Sequence, residues 1–312
     1  MRRVFTAYPW LFALIAAGLI VAATVAASGQ NPGRDLSAAA QDSSVLVMIG
    51  MGQLFVITAG VGNIDLSIPG IMALAAFVGS AVASWAGNPL VGIGAALVVG
   101  VLIAIVNLIL IMLIGIPPII ATLATGLIVD SAVLVAAGRL TASAPPALMT
   151  LMDTRWRGLP AVAIVAALTA AGGALVLHRT RFGRELIATG QSSGAAGRSG
   201  VDVMRRTAYC YIVSGCCAGV AGLLLSSLNA APAIGIGDPY LLLTVAVVVL
   251  GGSSIMGGRP TALGVVIASV MLNVMLTLFY TLHMSIAVQD MAEGLLIIAA
   301  LAGGGERSRL RA

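Results

Sequence analysis

The chain has 312 residues, of which 60% are hydrophobic and only 9% are charged, and its formal net charge is +5. A soluble domain carries about 25% charged residues, so this composition excludes an ordinary soluble protein and indicates a membrane protein. All 16 basic residues are arginine, and they lie mainly near the two ends and in one central segment. That distribution fits membrane orientation better than binding to nucleic acid, which we do not expect.

Apolar runs long enough to cross a bilayer recur along the whole chain. A membrane helix needs about 20 mainly apolar residues, and this length predicts an all-α polytopic fold with about ten spans. The predicted spans are 8–28, 43–61, 68–86, 89–114, 118–138, 159–178, 207–228, 240–251, 261–281 and 285–302. The span 240–251 is short and precedes the glycine-rich string GGSSIMGGRP, which is typical of a broken helix.

The first apolar run has some features of a secretion signal. It follows Arg2 and Arg3, and small residues occur near Ala26–Ser28. The run is long for the apolar part of a signal, and many further spans follow. We therefore expect an uncleaved first helix.

Residues 60–70, GVGNIDLSIPG, contain the one strongly polar cluster of the N-terminal half, namely Asn63, Asp65 and Ser67. A carboxylate at the bilayer centre costs about 2.5–3.5 kcal/mol, so Asp65 is expected to face a cavity, an interface or water. Glycine and proline around the cluster break the helix. Two interpretations stay open: the cluster lines or gates a pathway, or Asp65 or Ser67 caps the next helix.

A faint internal repeat relates 60–70 to 251–261 at a constant offset of 191 residues. The matching pairs are Gly60 with Gly251, Ile64 with Ile255, and Pro69 with Pro260. Transporters often contain two related halves with helix breaks at corresponding positions. Three matches in a glycine-rich chain also fit chance, so the repeat is an open hypothesis.

Residues 116–126, IPPIIATLATG, place two prolines before a helix that carries Thr122 and Thr125 on one face. Proline is ordinary at a helix start. The two hydroxyls either meet a polar solute or bond back to helix carbonyls, and the second interpretation is favoured. Asn273, inside the span 261–281, is the remaining candidate for the pathway.

The central segment Arg179–Arg206 carries six arginines and two acidic residues between two apolar runs. Such a segment does not lie exposed in hydrocarbon, and its arginines place it in the cytoplasm. Six spans before it and four after it then place both termini in the cytoplasm. Arg139, Arg155 and Arg157, in the external segment 139–158, disagree with this orientation. A long polar segment between spans predicts a docking surface for a soluble partner.

Two enzymatic interpretations find little support. The string GIGDPY at 235–240 resembles the GxGD of intramembrane aspartyl proteases, which need a second carboxylate close by. No Tyr-Asp pair precedes it, because Asp130 follows Val129. Without lysine the chain has no GxxxxGK[ST] loop, so ATP hydrolysis requires a separate subunit.

Coupling to a proton or sodium gradient is a different possibility, and it favours acidic residues inside spans. The candidates for that role are Asp65, Asp130, Asp290 and Glu293. We expect no metal site, because His178 and His283 have no ligand partner at helical spacing. The three cysteines, Cys210, Cys216 and Cys217, are interpreted as small apolar residues of a membrane helix.

Four motifs in combination resemble the permease subunit of bacterial ABC sugar importers, the ribose, xylose and arabinose permease family. They are GQLFVITAGVGNIDLSIPG, IPPIIATLATG, RTRFGRELIATGQSSGAAGRSGV and VAVVVLGGSSIMGGRPTALG, and the resemblance covers roughly residues 43–304. The chain departs from the family pattern at three places. They are Gln191 to Gly194 in the central loop, Tyr240 to Thr244 before the Leu-Gly-Gly motif, and Pro260 after Gly-Gly-Arg.

The resemblance implies an ABC importer permease fold, with 1–312 forming one transmembrane domain and 179–206 a cytoplasmic coupling loop. It implies a second permease chain, identical or related, two cytoplasmic ATPase subunits and a periplasmic sugar-binding protein, in the bacterial inner membrane. The chain itself is then not an enzyme and binds no cofactor, and the partner subunit uses ATP. The implied coupling residues are Arg184, Gly190, Ala195, Ala196, Ser199 and Gly200.

Three alternatives to a sugar permease stay open at this point. One is a secondary transporter driven by an ion gradient. Another is a permease of the same superfamily that carries branched-chain amino acids or nucleosides. The third and weakest is an intramembrane hydrolase.

Overall fold

The computed structural model describes residues 10–28, 32–140, 143–156, 158–285, 287–289, 291–292, 294–295 and 298. The terminal arginines that predicted the orientation lie outside the described residues, as do Arg157, Asp290, Glu293 and much of the predicted span 285–302. The described helices are α1 Leu11–Ala27, α2 Pro32–Thr58, α3 Ile68–Ala86, α4 Pro89–Leu108, α5 Pro118–Arg139, α6 Pro146–Asp153, α7 Ala161–Arg179, α8 Arg181–Gln191, α9 Ser193–Arg198, α10 Val203–Leu228, α11 Tyr240–Leu250 and α12 Ala262–Thr281.

These helices confirm the polytopic all-α fold. Helices α1 to α5, α7 and α10 to α12 correspond to the first nine predicted spans. In the described part of the chain, seven helices are long and apolar enough to cross a membrane, while the apolar helices α1 and α11 are shorter. A π-helical turn, Ile109–Leu113, extends α4.

Proline marks the start of four helices, because its fixed φ suits the first turn and its missing N–H is not needed there. The helices α2, α4, α5 and α6 begin at Pro32, Pro89, Pro118 and Pro146. Asn88 caps α4, since its side chain accepts the N–H of Leu90 at 2.9 Å. The prediction of a helix start after the double proline of 116–126 is therefore confirmed.

Helix α2 begins eleven residues before the predicted span 43–61, and this boundary was wrong. The polar residues of the first turns do not end the helix, because they bond to the segment that precedes α7. Gln41 Nε2 donates to the carbonyl of Met152 at 3.0 Å, and Arg155 donates to Gln41 Oε1 at 3.2 Å and to Ser37 Oγ. Arg155 thus has local partners, which explains an arginine in a segment predicted to be external.

The segment between α5 and α7 forms α6 and a two-stranded antiparallel ribbon, β1 Arg155–Trp156 with β2 Leu159–Pro160. It lies near the start of α2 and the end of α10, where the N–H of Ala144 donates to the carbonyl of Ala230 at 3.4 Å. All these ends therefore belong to one side of the bundle.

Helix α2 lies at the centre of the bundle. In the most apolar 18-residue stretch of α2, 89% of the residues are buried, against 22% in the corresponding stretch of α7. Small residues let neighbouring helices cross closely. At the crossing of α4 with α10, a Cβ added to Gly100 would stand 2.0 Å from the carbonyl oxygen of Gly215, so the two backbones touch.

Helix α11 is too short to span a bilayer. Its 11 residues cover about 17 Å at 1.5 Å per residue, against a hydrocarbon core of about 30 Å. Non-helical segments lie on both sides of it, and irregular backbone at membrane depth must be enclosed by protein or line a cavity. A Cβ added to Gly237, before α11, would stand 2.3 Å from the carbonyl oxygen of Pro69. The break predicted next to 240–251 is thus present.

Candidate functional site

The polar cluster of residues 60–70 forms a buried network that we call the polar knot, consisting of Asp65, Ser67, Asn107 and Ser214. Asp65 Oδ1 accepts from Ser67 Oγ at 2.6 Å and from the Ser67 N–H at 3.1 Å. Asp65 Oδ2 accepts from Ser214 Oγ at 2.7 Å, and Ser67 Oγ accepts from Asn107 Nδ2 at 2.8 Å. The exposed fractions of Asp65 and Ser67 are 1% and 0%, so this chain encloses both.

Further bonds tie the break before α3 to three other helices. Gln53 of α2 accepts the N–H of Asp65 at 3.3 Å, and Tyr211 of α10 donates to Asn63 Oδ1 at 3.3 Å. Thr122 of α5 accepts the N–H of Leu66 at 3.0 Å. Because buried backbone polar groups need partners, these side chains hold a non-helical segment in place inside the bundle.

The geometry bears on the two interpretations of 60–70. Neither Asp65 nor Ser67 caps α3 in the usual way, since no side chain bonds to the first free N–H groups of that helix. Asp65 instead accepts the N–H two residues ahead, which closes a short side-chain turn. That the cluster lines or gates a pathway stays a prediction, and in this conformation Asp65 and Ser67 face no open surface.

The other pathway candidates lie on α5 and α12. Thr122 Oγ1 also lies 2.9 Å from the carbonyl of Pro118, one turn earlier in its own helix. Thr125 is 3% exposed, and its hydroxyl has no hydrogen-bond partner among the described residues. Asn273 is half-buried and donates to the carbonyl of Ser269 at 3.0 Å. The structure thus brings Thr122 to the edge of the polar knot, and it gives Asn273 a bond within its own helix.

Residues 181–200, which include α8 and α9, form what we call the coupling segment. Thr180 Oγ1 accepts the N–H of Gly183 at 3.2 Å and so caps α8, and Ser192 Oγ accepts the N–H of Ala195 at 3.3 Å and caps α9. Gly200, with φ of +85°, ends the segment in a conformation that favours glycine. The predicted loop is therefore two short capped helices.

Helix α8 is fastened to the bundle by an ion pair and an aromatic cluster. Arg206 of α10 bonds to Glu185 at 2.6 Å, and its guanidinium lies 5.6 Å from the centre of the Phe182 ring. That ring lies 6.4 Å from Phe55 of α2 and 6.1 Å from Tyr209 of α10. These contacts pack the coupling segment against α2 and α10.

The predicted coupling residues divide into two groups. The exposed group faces outward and is able to meet a partner: it contains Arg184, Ala195, Ser199 and Gly200. Ala196 is only 5% exposed and packs into this chain. Gly190 packs against Thr58 and Gly258. The sequence did not distinguish these orientations.

Two aspartates that the sequence treated separately line one cleft. Asp130 of α5 and Asp238, just before α11, both face it. The cleft is also lined by Leu66, Pro69, Gly70, Leu123, Gly126, Leu127 and Leu241. The segment before α11 packs against Pro69, and this contact places Asp238 near the middle of α5. No local sequence pattern predicted that Asp238 and Asp130 would lie close together.

Sequence reasoning also missed most partners of the polar knot. Gln53, Asn107, Ser214 and Tyr211 lie inside predicted spans, and none was a candidate. An available signal was their polarity, because a polar side chain within a membrane helix usually faces the bundle interior. Among the described residues, no group of three or more His, Cys, Asp or Glu is placed to hold a metal ion.

A broken helix enclosed in a bundle of spans, with a buried polar network beside it, defines a membrane protein of the permease class. A family model described as "Branched-chain amino acid transport system / permease component" matches residues 36–301, and the chain belongs to this family. It is a multi-pass membrane transport permease. No solved structure matches the chain.

Three relatives show the likeness along most of the chain. The "L-arabinose transport system permease protein AraH" of Escherichia coli is 32% identical over 259 residues, 81% of this chain and 77% of the relative. The "D-allose transport system permease protein AlsC" of the same species is 32% identical over 265 residues, 83% and 80% of the two chains. The "Autoinducer 2 import system permease protein LsrD" of Photorhabdus laumondii is 28% identical over 308 residues, 95% and 91% of the two chains.

Proposed function

We propose that this permease is the membrane-spanning subunit of an ATP-driven importer, and that it translocates a monosaccharide, a pentose or a hexose, delivered by a periplasmic binding protein. The substrate class is supported by AraH and AlsC, whose names specify arabinose and allose and whose likeness covers 81% and 83% of this chain. The observation that carries the proposal is the coupling segment, which is exposed on one side and fastened to the spans on the other.

A separate ATPase subunit supplies the energy, because a chain without lysine cannot form a P-loop. The exposed coupling residues, Arg184, Ala195, Ser199 and Gly200, form its docking face. The small residues Ala195, Ser199 and Gly200 allow close approach of a groove on the partner. The chain itself binds no cofactor and catalyses no covalent step, and ATP binding to the partner shifts the permease between two conformations.

The importer also contains a second permease chain, identical or related, and the solute passes between the two. In the most apolar 18-residue stretch of α4 and of α5, only 33% of the residues are buried within this chain. This leaves apolar surface for lipid and for that second chain. We place the importer in the bacterial inner membrane, with the coupling segment and both termini in the cytoplasm.

Reconstitution tests this proposal. The chain is purified with its ATPase and binding protein, placed in proteoliposomes, and supplied with radiolabelled L-arabinose, D-allose, D-ribose, D-xylose, leucine or a nucleoside. We expect uptake of a monosaccharide that requires both ATP and the binding protein. Uptake driven by an ion gradient without ATP would establish a secondary transporter instead. ATP-driven uptake of leucine or a nucleoside alone would reject the sugar assignment.

A second candidate solute is the one named for LsrD, autoinducer 2, because that likeness extends over 95% of the chain. The same proteoliposomes distinguish it, since it competes with the monosaccharide only if both use this importer.

A further inference from the structure

Three segments meet at a point that we call the glycine junction, formed by Thr58, Gly190, Gln191 and Gly258. Thr58 ends α2, Gly190 and Gln191 end α8, and Gly258 lies in the loop after α11. The N–H of Gly258 donates to the carbonyl of Thr58 at 3.1 Å. Gln191 Nε2 donates to the carbonyl of Gly258 at 3.2 Å. The coupling segment is thus bonded directly to the loop that follows α11.

The contact at the junction is between backbones, with no room for a side chain. A Cβ added to Gly190 would stand 2.0 Å from the carbonyl oxygen of Thr58 and 2.4 Å from the nitrogen of Gly258. Gly190 lies inside helix α8 with ordinary helical φ, so the closeness of its neighbours, and not its own conformation, requires glycine. Gly258 has φ of +69°, which also favours glycine.

Helix α11 connects this junction with the middle of the bundle. Its C-terminal loop carries Gly258. At its other end, Gly237 packs on Pro69 and Asp238 faces Asp130 across the cleft. Gly258 lies eight residues after Leu250, the last residue of α11, so the loop between them links the junction to that end of the helix. A packed helix can move as a rigid element, which offers a route from the loop to the cleft at the other end.

We propose that Gly190 and Gln191 are positioning residues that pass movement of the coupling segment to α11, and through α11 to the cleft between Asp130 and Asp238. This inference rests on the proposed function, because it requires an ATPase that moves the coupling segment. It adds which element is moved and through which contact. The exposed docking residues are not part of the junction.

The experiment measures ATP hydrolysis and movement near α11 in the same complex of permease, ATPase and binding protein. Ile234→Cys provides the probe, because Ile234 is 60% exposed in the segment before α11. Cys210, Cys216 and Cys217 are replaced by alanine so that only this thiol reacts with a maleimide dye. Labelling rates are compared with and without ATP plus vanadate, which needs no knowledge of the solute.

With glycine at position 190, we expect ATP plus vanadate to change the labelling rate about tenfold, which corresponds to about 1.4 kcal/mol. In Gly190→Ala the added methyl group forces the junction apart. The change should then disappear while ATP hydrolysis continues. Gly172→Ala is the matched control, because Gly172 is also a helical glycine but nothing lies within 4 Å of its added Cβ. It should behave like the parent protein.

Equal labelling responses in Gly190→Ala and Gly172→Ala would overturn the inference. So would a joint loss of hydrolysis and response, which would assign Gly190 to docking. If Gly190→Ala does not insert, Gln191→Leu decides, since it removes only the donor to Gly258 and should reduce the response. If the parent protein hydrolyses ATP without any change in labelling, the inference fails while the proposed function stands. If the complex with the ATPase and binding protein shows no ATP-driven uptake, the proposed function itself fails.

Discussion

At the scale of single residues, Asp65 shows how a costly group is retained within a membrane domain. Its carboxyl group accepts three hydrogen bonds, two from Ser67 and one from Ser214. A buried polar group is tolerated when its partners are present and is expensive when they are not. The same carboxyl group therefore holds the break before α3 to α10, whatever its part in transport.

Replacing Asp65 separates stability from transport. Asp65→Ala leaves donors of Ser67 and Ser214 without their acceptor, at about 1–3 kcal/mol for each unpaired group, so the melting temperature in detergent should fall. Asp65→Asn keeps an acceptor oxygen and should lose less. Asp35→Ala, in the first turn of α2, is the control and should have little effect. Normal uptake per inserted molecule in Asp65→Asn would reject the pathway or gate prediction.

Ala195 and Ala196 are neighbours with opposite orientations. Ala195→Arg adds a long charged side chain on the exposed face of α9, so it should abolish transport and ATPase stimulation while leaving insertion and melting temperature unchanged. Ala196→Arg should reduce stability as well, because Ala196 is 5% exposed and packs against its own chain. The measurements are ATPase stimulation and thermal melting of the purified complex. Full stimulation by Ala195→Arg would exclude α9 from the docking face.

At the scale of elements, α8 is stabilised by its contacts more than by its length. Short helices are marginal on their own in water, and packing against other elements supplies most of their stability. The Glu185–Arg206 pair and the ring of Phe182 provide that packing. A second arginine pair close by offers a comparison, because Arg205 bonds to Asp202 at 2.9 Å on an exposed surface.

Neutralising the two arginines should therefore give different results. Arg206→Ala removes a half-buried ion pair and the contact with Phe182, and should cost about 1–3 kcal/mol of local stability and loosen the coupling segment. Arg205→Ala removes an exposed pair, which is worth about 0–1 kcal/mol. Hydrogen exchange of residues 181–191 measures the effect. Equal protection in both variants would show that the ion pair does not hold α8.

At the scale of the whole molecule, the structure separates two ends of the bundle. Thr58, at the end of α2, lies against the coupling segment, while Gly33 is near the start of the same helix. Their separation of 25 positions corresponds to about 37 Å along the helix axis. That exceeds the hydrocarbon thickness of about 30 Å, so we expect the two positions to lie on opposite sides of the membrane.

Labelling with a membrane-impermeant maleimide tests the orientation in a chain whose native cysteines are replaced by alanine. Gly33→Cys should react from the periplasm, and Ser193→Cys only after the membrane is opened, because we propose that the arginine-rich coupling segment lies in the cytoplasm. Both positions are exposed, so access within the protein does not limit the reaction. Reaction of Ser193→Cys from the periplasm would reverse the topology.

The sequence by itself determined the class of protein, the approximate span positions and the helix start at Pro118. The hydropathy of a span depends only on residues that are neighbours in the sequence, and a proline such as Pro118 affects only the helical turn that contains it. Both signals can therefore be recognised without a structure. The coupling segment could be located in the chain for the same reason, because its arginines stand between two apolar runs. The predicted start of the second span at residue 43 was wrong, because α2 already begins at Pro32 and the polar side chain of Gln41 bonds to the distant carbonyl of Met152.

Only the tertiary structure decided which polar residues meet. Helices that are apolar on most faces show little hydrophobic periodicity in their sequence. Their rotation and their depth in the membrane are therefore set by packing against other helices. Asp65 bonds to Ser214, and Asp130 lies in one cleft with Asp238, although more than 100 residues of sequence separate the members of each pair. Gly190 was a coupling residue by resemblance alone, and its close contact with Thr58 and Gly258 became visible only when α2 and the loop after α11 were placed against it. Contacts between elements depend on three-dimensional proximity, which a linear pattern does not contain.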